Sequence, residues 1–324
     1  MRQNPVCHTP VVNHKININI RFRAIGLPLS FKRKNHIMNK TRVLCATAML
    51  FPLLVNAGMT QDASHSVSDK VIENQRTSLA SNTLGKGYGP QSPRDIDSIQ
   101  GNNKRIFSEA PDYMEMNLCN IHFHKNAEHK GGEFTKYAGN GDGHGYQTGY
   151  QYTGKLSKKE LSPLKHEVGA SQHGSLHPGD TIEVHYVHST AKVSPGPTLG
   201  ACLSKANSNP QLRVETQVFV LVNDAKAMSF MELTKLGIKN GFNQALNIPN
   251  NTGEPVEYEG STTGPGYNEI ASPLQVSWSV RPKVMKVDIN SVGQWLEGNV
   301  FDEDHAHGVR NLVINPDLLS AESD

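Results

Sequence analysis

Two short stretches carry the residue types that could do chemistry: Asn120-Ile121-His122-Phe123-His124 and Glu183-Val184-His185-Tyr186-Val187-His188. In each, Ile, Phe, Val and Tyr alternate with polar residues. That is the period of a β-strand, where residues i and i+2 share a face. His122 and His124 are then neighbours on one face, as are Glu183 and His185 on the second strand. Two imidazoles from one strand and one from an adjacent strand converge on a point. Three neutral nitrogens with a fourth position left open for water are the ligand set of a catalytic zinc ion. Asn120 and Glu183 each stand two residues before a ligand. There they can accept a hydrogen bond from the far ring nitrogen of that ligand or its neighbour, fixing its tautomer and raising its basicity. The plain alternative is a pair of strands with solvated histidines, and the repetition of the pattern on two strands favours the metal.

The elements that must position these residues come from a chain of 324 residues with a net charge of +2. Nothing in that balance points to a nucleic acid or an acidic polymer as partner. Most of the 15 histidines fall after position 120. Residues 38–57 have a basic start at Lys40 and Arg42, an apolar run from Val43 to Val55, and small residues at Val55-Asn56-Ala57. This is the pattern of a secretory signal peptide, too short and wrongly flanked to span a bilayer. Because it begins at Met38, residues 1–37 read as a mis-called N-terminal extension. The mature chain is expected to start near Gly58, to be exported to a periplasm or secreted, and to contain no membrane span.

Export decides the cysteine arithmetic. Cys7 and Cys45 leave with the leader, and the remaining pair, Cys119 and Cys202, reads as one disulfide in an oxidising compartment, with two free thiols as the alternative. Residues 58–84 are polar and read as a flexible tail. From 85 to 320 the pattern is that of one β-rich domain. Arg213–Asn223 has the most strand-like run, apolar enough to be central, and Gln275–Val280 and Lys283–Ile289 are further strands. Short helices are expected within Lys155–Glu167, within Met228–Leu246 and around Trp295. The Gly139–Gly149 loop carries His144 but lacks the Lys-Ser/Thr ending and following helix of a phosphate cradle.

At this point the chain resembles a family. Ile-His-Phe-His-Lys-Asn-Ala-Glu-His (121–129) resembles the metal-binding segment of delta-class carbonic anhydrases. Four stretches also resemble alpha-class carbonic anhydrases, in the same order: Gln91 to Ile96, Asn120 to His124, Glu183 to His188, and Gly260 to Pro265 followed by Val276-Ser277-Trp278. The resemblance spans about residues 90–292. It implies a mainly β (α+β) fold: a single domain around a large twisted, mostly antiparallel sheet with a few short helices. It also implies Zn2+ held by His122, His124 and His185, and carbon dioxide and bicarbonate as the small-molecule partners. Thr262 falls where the alpha class keeps a threonine that takes the proton of the zinc hydroxide in a hydrogen bond and aims its lone pair. Thr263 would lie beside the substrate, and Val187 and Trp278 would help form its apolar wall.

The departures are specific. The alpha class has a glutamate to receive the threonine's hydrogen bond. The matching context here holds Gln172, whose amide oxygen can still accept, with Glu167 nearby as a substitute. Ser261 stands where the alpha class has leucine. The segment that would bear a histidine proton shuttle is missing, leaving His144, His173 and His177 as candidates. The implied reaction is attack of a zinc hydroxide on carbon dioxide. Two alternatives stand beside it. One is a non-catalytic zinc-binding protein on the same fold. The other is an enzyme like copper–zinc superoxide dismutase, which also places His-x-His on a strand but needs more histidines and a bridging ligand.

Overall fold

A computed structural model of the chain describes residues 66–262 and 267–321. The signal peptide and the upstream extension lie outside the described residues, as does Thr263. The unit from Met59 to Asp324 is built on one six-stranded sheet. Its strands are β1 (Asn117–Lys125), β2 (Thr181–Ser189), β3 (Leu212–Val222), β4 (Val256–Ser261), β5 (Gln275–Val280) and β6 (Met285–Asp288). Their order is β1-β2-β3-β5-β4, and β6 pairs with the far end of β3. β2 pairs antiparallel with both β1 and β3, and β4 pairs antiparallel with β5, whereas β3 pairs parallel with both β5 and β6. The sheet is therefore mixed rather than uniformly antiparallel.

β3 is buried at every position, which explains the unbroken apolar run of its second half, Val218 to Val222: a strand covered on both faces has no polar side to alternate with. One face of the sheet presents Phe123, Tyr186, Phe219 and Leu221 to Phe230 of helix α1 (Phe230–Leu233) and Trp295 of helix α2 (Ile289–Leu296). The other presents Val187, Val214, Trp278 and Val280 to a second apolar layer. The register fixes which residues meet there. Asn120, Val187, Val214, Trp278 and Tyr258 lie in one row across five strands, and His122, His185 and Thr216 in the next. A bulge between Leu118 and Asn120 turns Cys119 toward this second layer, where it is bonded to Cys202 across a sequence separation of 83.

Two expectations need correction. The stretch expected to be a flexible tail contains a 15-residue helix, Asp69–Thr83, here called the N-terminal helix. It buries Ile72, Gln75, Leu79 and Thr83, a helical spacing whose polar half hides it in the composition. The Met228–Leu246 stretch forms only the four-residue α1 before turning into a hairpin, Leu236–Lys239 with Phe242–Ala245. Asn240 and Gly241 both have positive φ at its tip, the conformation that an Asn-Gly turn favours.

Candidate metal centre

β1 and β2 place His122 directly opposite His185, and His124 opposite Glu183. Hydrogen bonds then fix the tautomer of each ring. Asn120 donates its Nδ2 to the Gly196 carbonyl at 3.1 Å, so its Oδ1 faces His122 Nδ1 as an acceptor at 2.6 Å. His122 Nδ1 therefore carries the proton. His124 Nδ1 lies 2.8 Å from the Gly308 carbonyl, which can only accept. His185 Nε2 lies 2.6 Å from Glu183 Oε1. The proton of each ring points away from the others.

What remains is three lone pairs. His122 Nε2 faces His185 Nδ1 at 3.3 Å with no proton available to bridge them, and His124 Nε2 is buried without any partner. Ligand atoms of these three residues all lie within 4.8 Å of one another. Acceptors that converge without a donor are costly unless a cation sits between them. Burial and mutual repulsion also disfavour a charge on His122 and His124. His122 is held well below the usual histidine range by burial and then by His185 and His124, and burial lowers His124 to about 4.

Glu183 is the hub beneath the cluster. It is fully buried, and besides His185 it accepts from His129 Nδ1 at 2.7 Å and from the His129 backbone N–H at 2.9 Å. Burial pushes its carboxyl up, but His129 and His185 outweigh that and hold it below the usual range. His129 Nε2 continues to the Tyr258 hydroxyl at 2.7 Å, which meets Ser92 Oγ. The second convergence of ligand atoms, His129, Glu183 and His185, is thus a closed hydrogen-bonded chain in which every proton already has an acceptor.

A second buried carboxylate, Glu128, accepts from Arg94 Nε at 2.7 Å and from the Arg310 backbone N–H at 2.8 Å. Burial would raise it, but Arg94 first, then His124 and His185, hold it well below the ordinary carboxylate range. Glu128 and His129 lie inside the 121–129 stretch, yet their roles become visible only through partners distant in sequence. A fourth imidazole, His307, has its ring 5.5 Å from that of His122 and 5.9 Å from that of His124, half exposed, with Nε2 on Glu303.

Other expected site residues fall as follows. Trp278 is buried, its ring 5.2 Å from both His185 and His129, and Val187 is buried on the same face. The Trp278 indole N–H donates to the Ser261 carbonyl at 3.3 Å, which anchors Thr262 one residue further on. Gln172 is not brought to the histidines. It sits exposed in the turn between Val168–Ser171 and Gly174–Leu176, with its amide against the His173 ring at 3.1 Å. Of the shuttle candidates, His173 stacks on Tyr146, His177 faces Asp180, and His144 lies near Tyr267. The glycine loop serves the centre differently: Gly145 accepts from Val309 N at 2.9 Å and packs so closely on Gly308 that a Cβ at 308 would meet its backbone at 2.9 Å.

Fold and centre together define a protein that gathers three histidines from two adjacent strands of a mixed sheet. The family model for Delta carbonic anhydrase matches residues 113–291, more than half of the chain, and the chain belongs to that family. Among solved structures it is similar to the Photobacterium profundum alpha-carbonic anhydrase, with 19% identity over 74% of this chain and 92% of that one at a TM-score of 0.25. It is also similar to the alpha-carbonic anhydrase of Thermovibrio ammonificans solved with the inhibitor sulfanilamide, with 17% identity over 77% and 94% at a TM-score of 0.25. No curated protein matches the sequence.

Proposed function

We propose that the protein is an exported zinc enzyme that reversibly hydrates carbon dioxide to bicarbonate and a proton. The observation that carries this reading is the convergence of three ring lone pairs, on His122, His124 and His185, with no proton among them. A zinc ion held there supplies the Lewis acidity that brings the pKa of water from about 15.7 down to about 7.

The chain's own residues do the rest. Asn120, Glu183 and the Gly308 carbonyl hold the three rings with their lone pairs inward. Val187 and Trp278 supply the apolar wall for a small uncharged substrate, which needs shape and dryness more than charged clamps. By the resemblance, Thr262 would aim the attacking oxygen by hydrogen bonding, and Thr263, outside the described residues, is assigned to the substrate side. Glu128, buried and ionised beside the ligands, takes the carboxylate's part that the resemblance assigned to the position of Gln172. The proton leaves to buffer or to a surface imidazole, for which the sequence offers His144, His173 and His177.

Export rests on the leader pattern and is consistent with the Cys119–Cys202 bridge. No helix among the described residues is long and apolar enough to cross a membrane. The deciding experiment is stopped-flow carbon dioxide hydration by the purified protein, with zinc assayed on the same sample. Hydration that a chelator abolishes and zinc restores supports the reading. One zinc per chain without hydration would leave a zinc-binding protein on this fold.

A further inference from the structure

Away from the histidines, a cavity of about 810 Å³ opens between the N-terminal helix and two facing segments around Tyr137–Tyr150 and Arg310–Asn315. That volume lies within the range of small-molecule sites. Arg76 lines it from the helix, and its Nε is shut off from water without a hydrogen-bond partner. Arg76 as a whole is only partly buried, so its guanidinium borders the cavity with hydrogen-bonding capacity left for an acceptor there. The carboxylates nearby are engaged with other groups: Asp69 accepts from Asn140 Nδ2 at 2.8 Å and Glu73 from Lys70 Nζ at 2.9 Å. Tyr150 lines the same space, and burial pushes its hydroxyl up to about 12, so it stays protonated as a donor. Its ring lies 5.5 Å from that of Tyr137, and Ile72, Leu312 and Ile314 complete an apolar lining.

We propose that this cavity binds a small organic carboxylate, with Arg76 pairing to the carboxylate, the Tyr150 hydroxyl donating to it, and the two tyrosine rings and the aliphatic lining covering its apolar body. A charge-assisted pair to a guanidinium gives the anion its place, and the aromatic pair selects a ligand with a flat or branched carbon body over a bare oxyanion. The site shares no residue with the three histidines, so it stands or falls independently of the zinc reading.

The test is calorimetric titration of the full protein with benzoate, benzamide and sulfate. The titrations are repeated on His122→Ala, so that anions meeting the candidate metal centre are not counted. Benzoate is expected to bind both forms, with benzamide and sulfate weaker by about tenfold or more, the equivalent of one charged hydrogen bond. Arg76→Gln is expected to weaken benzoate by about tenfold or more and Tyr150→Phe by a smaller factor, with zinc content and thermal melting unchanged. Benzamide binding as tightly as benzoate, or affinity for benzoate unchanged in Arg76→Gln, would overturn the carboxylate pairing. Sulfate equal to benzoate would overturn the apolar-bodied ligand, and absence of benzoate binding at millimolar concentration would overturn the site.

Discussion

Glu183 holds His185 by its Nε2 at 2.6 Å, and the same oxygen takes the Nδ1 proton of His129 at 2.7 Å. One carboxylate therefore sets the tautomer of a candidate ligand while being itself saturated by a second histidine. Glu183→Gln keeps one acceptor but turns an N–H₂ toward groups that are already donors. Zinc affinity is expected to fall by about 10–100-fold, in the range usual for loss of a group that orients a ligand. Competition against a chromophoric chelator measures it, and unchanged affinity would remove Glu183 from the centre.

The Gly308 carbonyl makes the same point through the main chain. A methyl group at 308 meets the Gly145 backbone at 2.9 Å, so Gly308→Ala must displace one of the two segments. Zinc affinity is expected to drop although no ligand has been altered, whereas Gly298→Ala, with open space around it, should bind zinc normally.

Glu128 and Gln172 make opposite predictions for turnover. Glu128→Gln, next to the histidines, is expected to lower kcat by about 10²-fold, the scale of losing one preorganised electrostatic partner, with zinc retained. Gln172→Ala, in its exposed turn, should leave kcat unchanged. The reverse result in stopped-flow hydration would restore the assignment made from the resemblance.

Glu215 gives the fold a pH dependence of its own. On the opposite face of the sheet from His185, burial first, with Glu257 adding to it against Ser279, Arg213 and Arg281, raises its carboxyl to about 7. A folded-state value above the unfolded one favours the native state at low pH. That contribution is complete below about 4.3 and is lost as pH rises through 7, on the order of 3 kcal/mol. Melting curves from pH 5 to 8 should show the native protein losing ground relative to Glu215→Gln, and parallel curves would refute the shift.

The Cys119–Cys202 bridge closes a long loop, worth about 4–5 kcal/mol in the chain-entropy account. Denatured, unreduced protein should show no thiol from this pair. Cys202→Ser should lower the urea midpoint and also loosen zinc, because Cys119 adjoins Asn120, which orients His122.

How much of this was legible in the sequence depended on range. His122, His124, His185, Asn120 and Glu183 could be placed because strand periodicity is local, and a residue two positions away is on the same face whatever the tertiary structure. Gln91 and Ser92 stood out by resemblance, and the structure puts them where Ser261 and Tyr258 meet them. Glu128 and His129 were in view but without roles, because their partners are Arg94, Arg310, Glu183 and Tyr258, which only the fold assembles. The Gly308 carbonyl left no side-chain signal at all. The N-terminal helix was hidden by its own economy, since two of its four buried residues, Gln75 and Thr83, are polar.

The segment around His307 lies along the outer edge of β1: His307 N–H donates to the Phe123 carbonyl at 2.8 Å, and its carbonyl accepts from Lys125 at 3.0 Å. The next residue supplies the carbonyl that orients His124. Synthesis therefore reaches the last component of the centre almost two hundred residues after the first two histidines. A nascent chain paused anywhere in between has an uncovered strand edge and an unanchored ring. In the proposed zinc enzyme, a premature stop before Gly308 is therefore expected to weaken metal binding by about 10–100-fold and to leave the β1 edge without its guard against edge-to-edge aggregation.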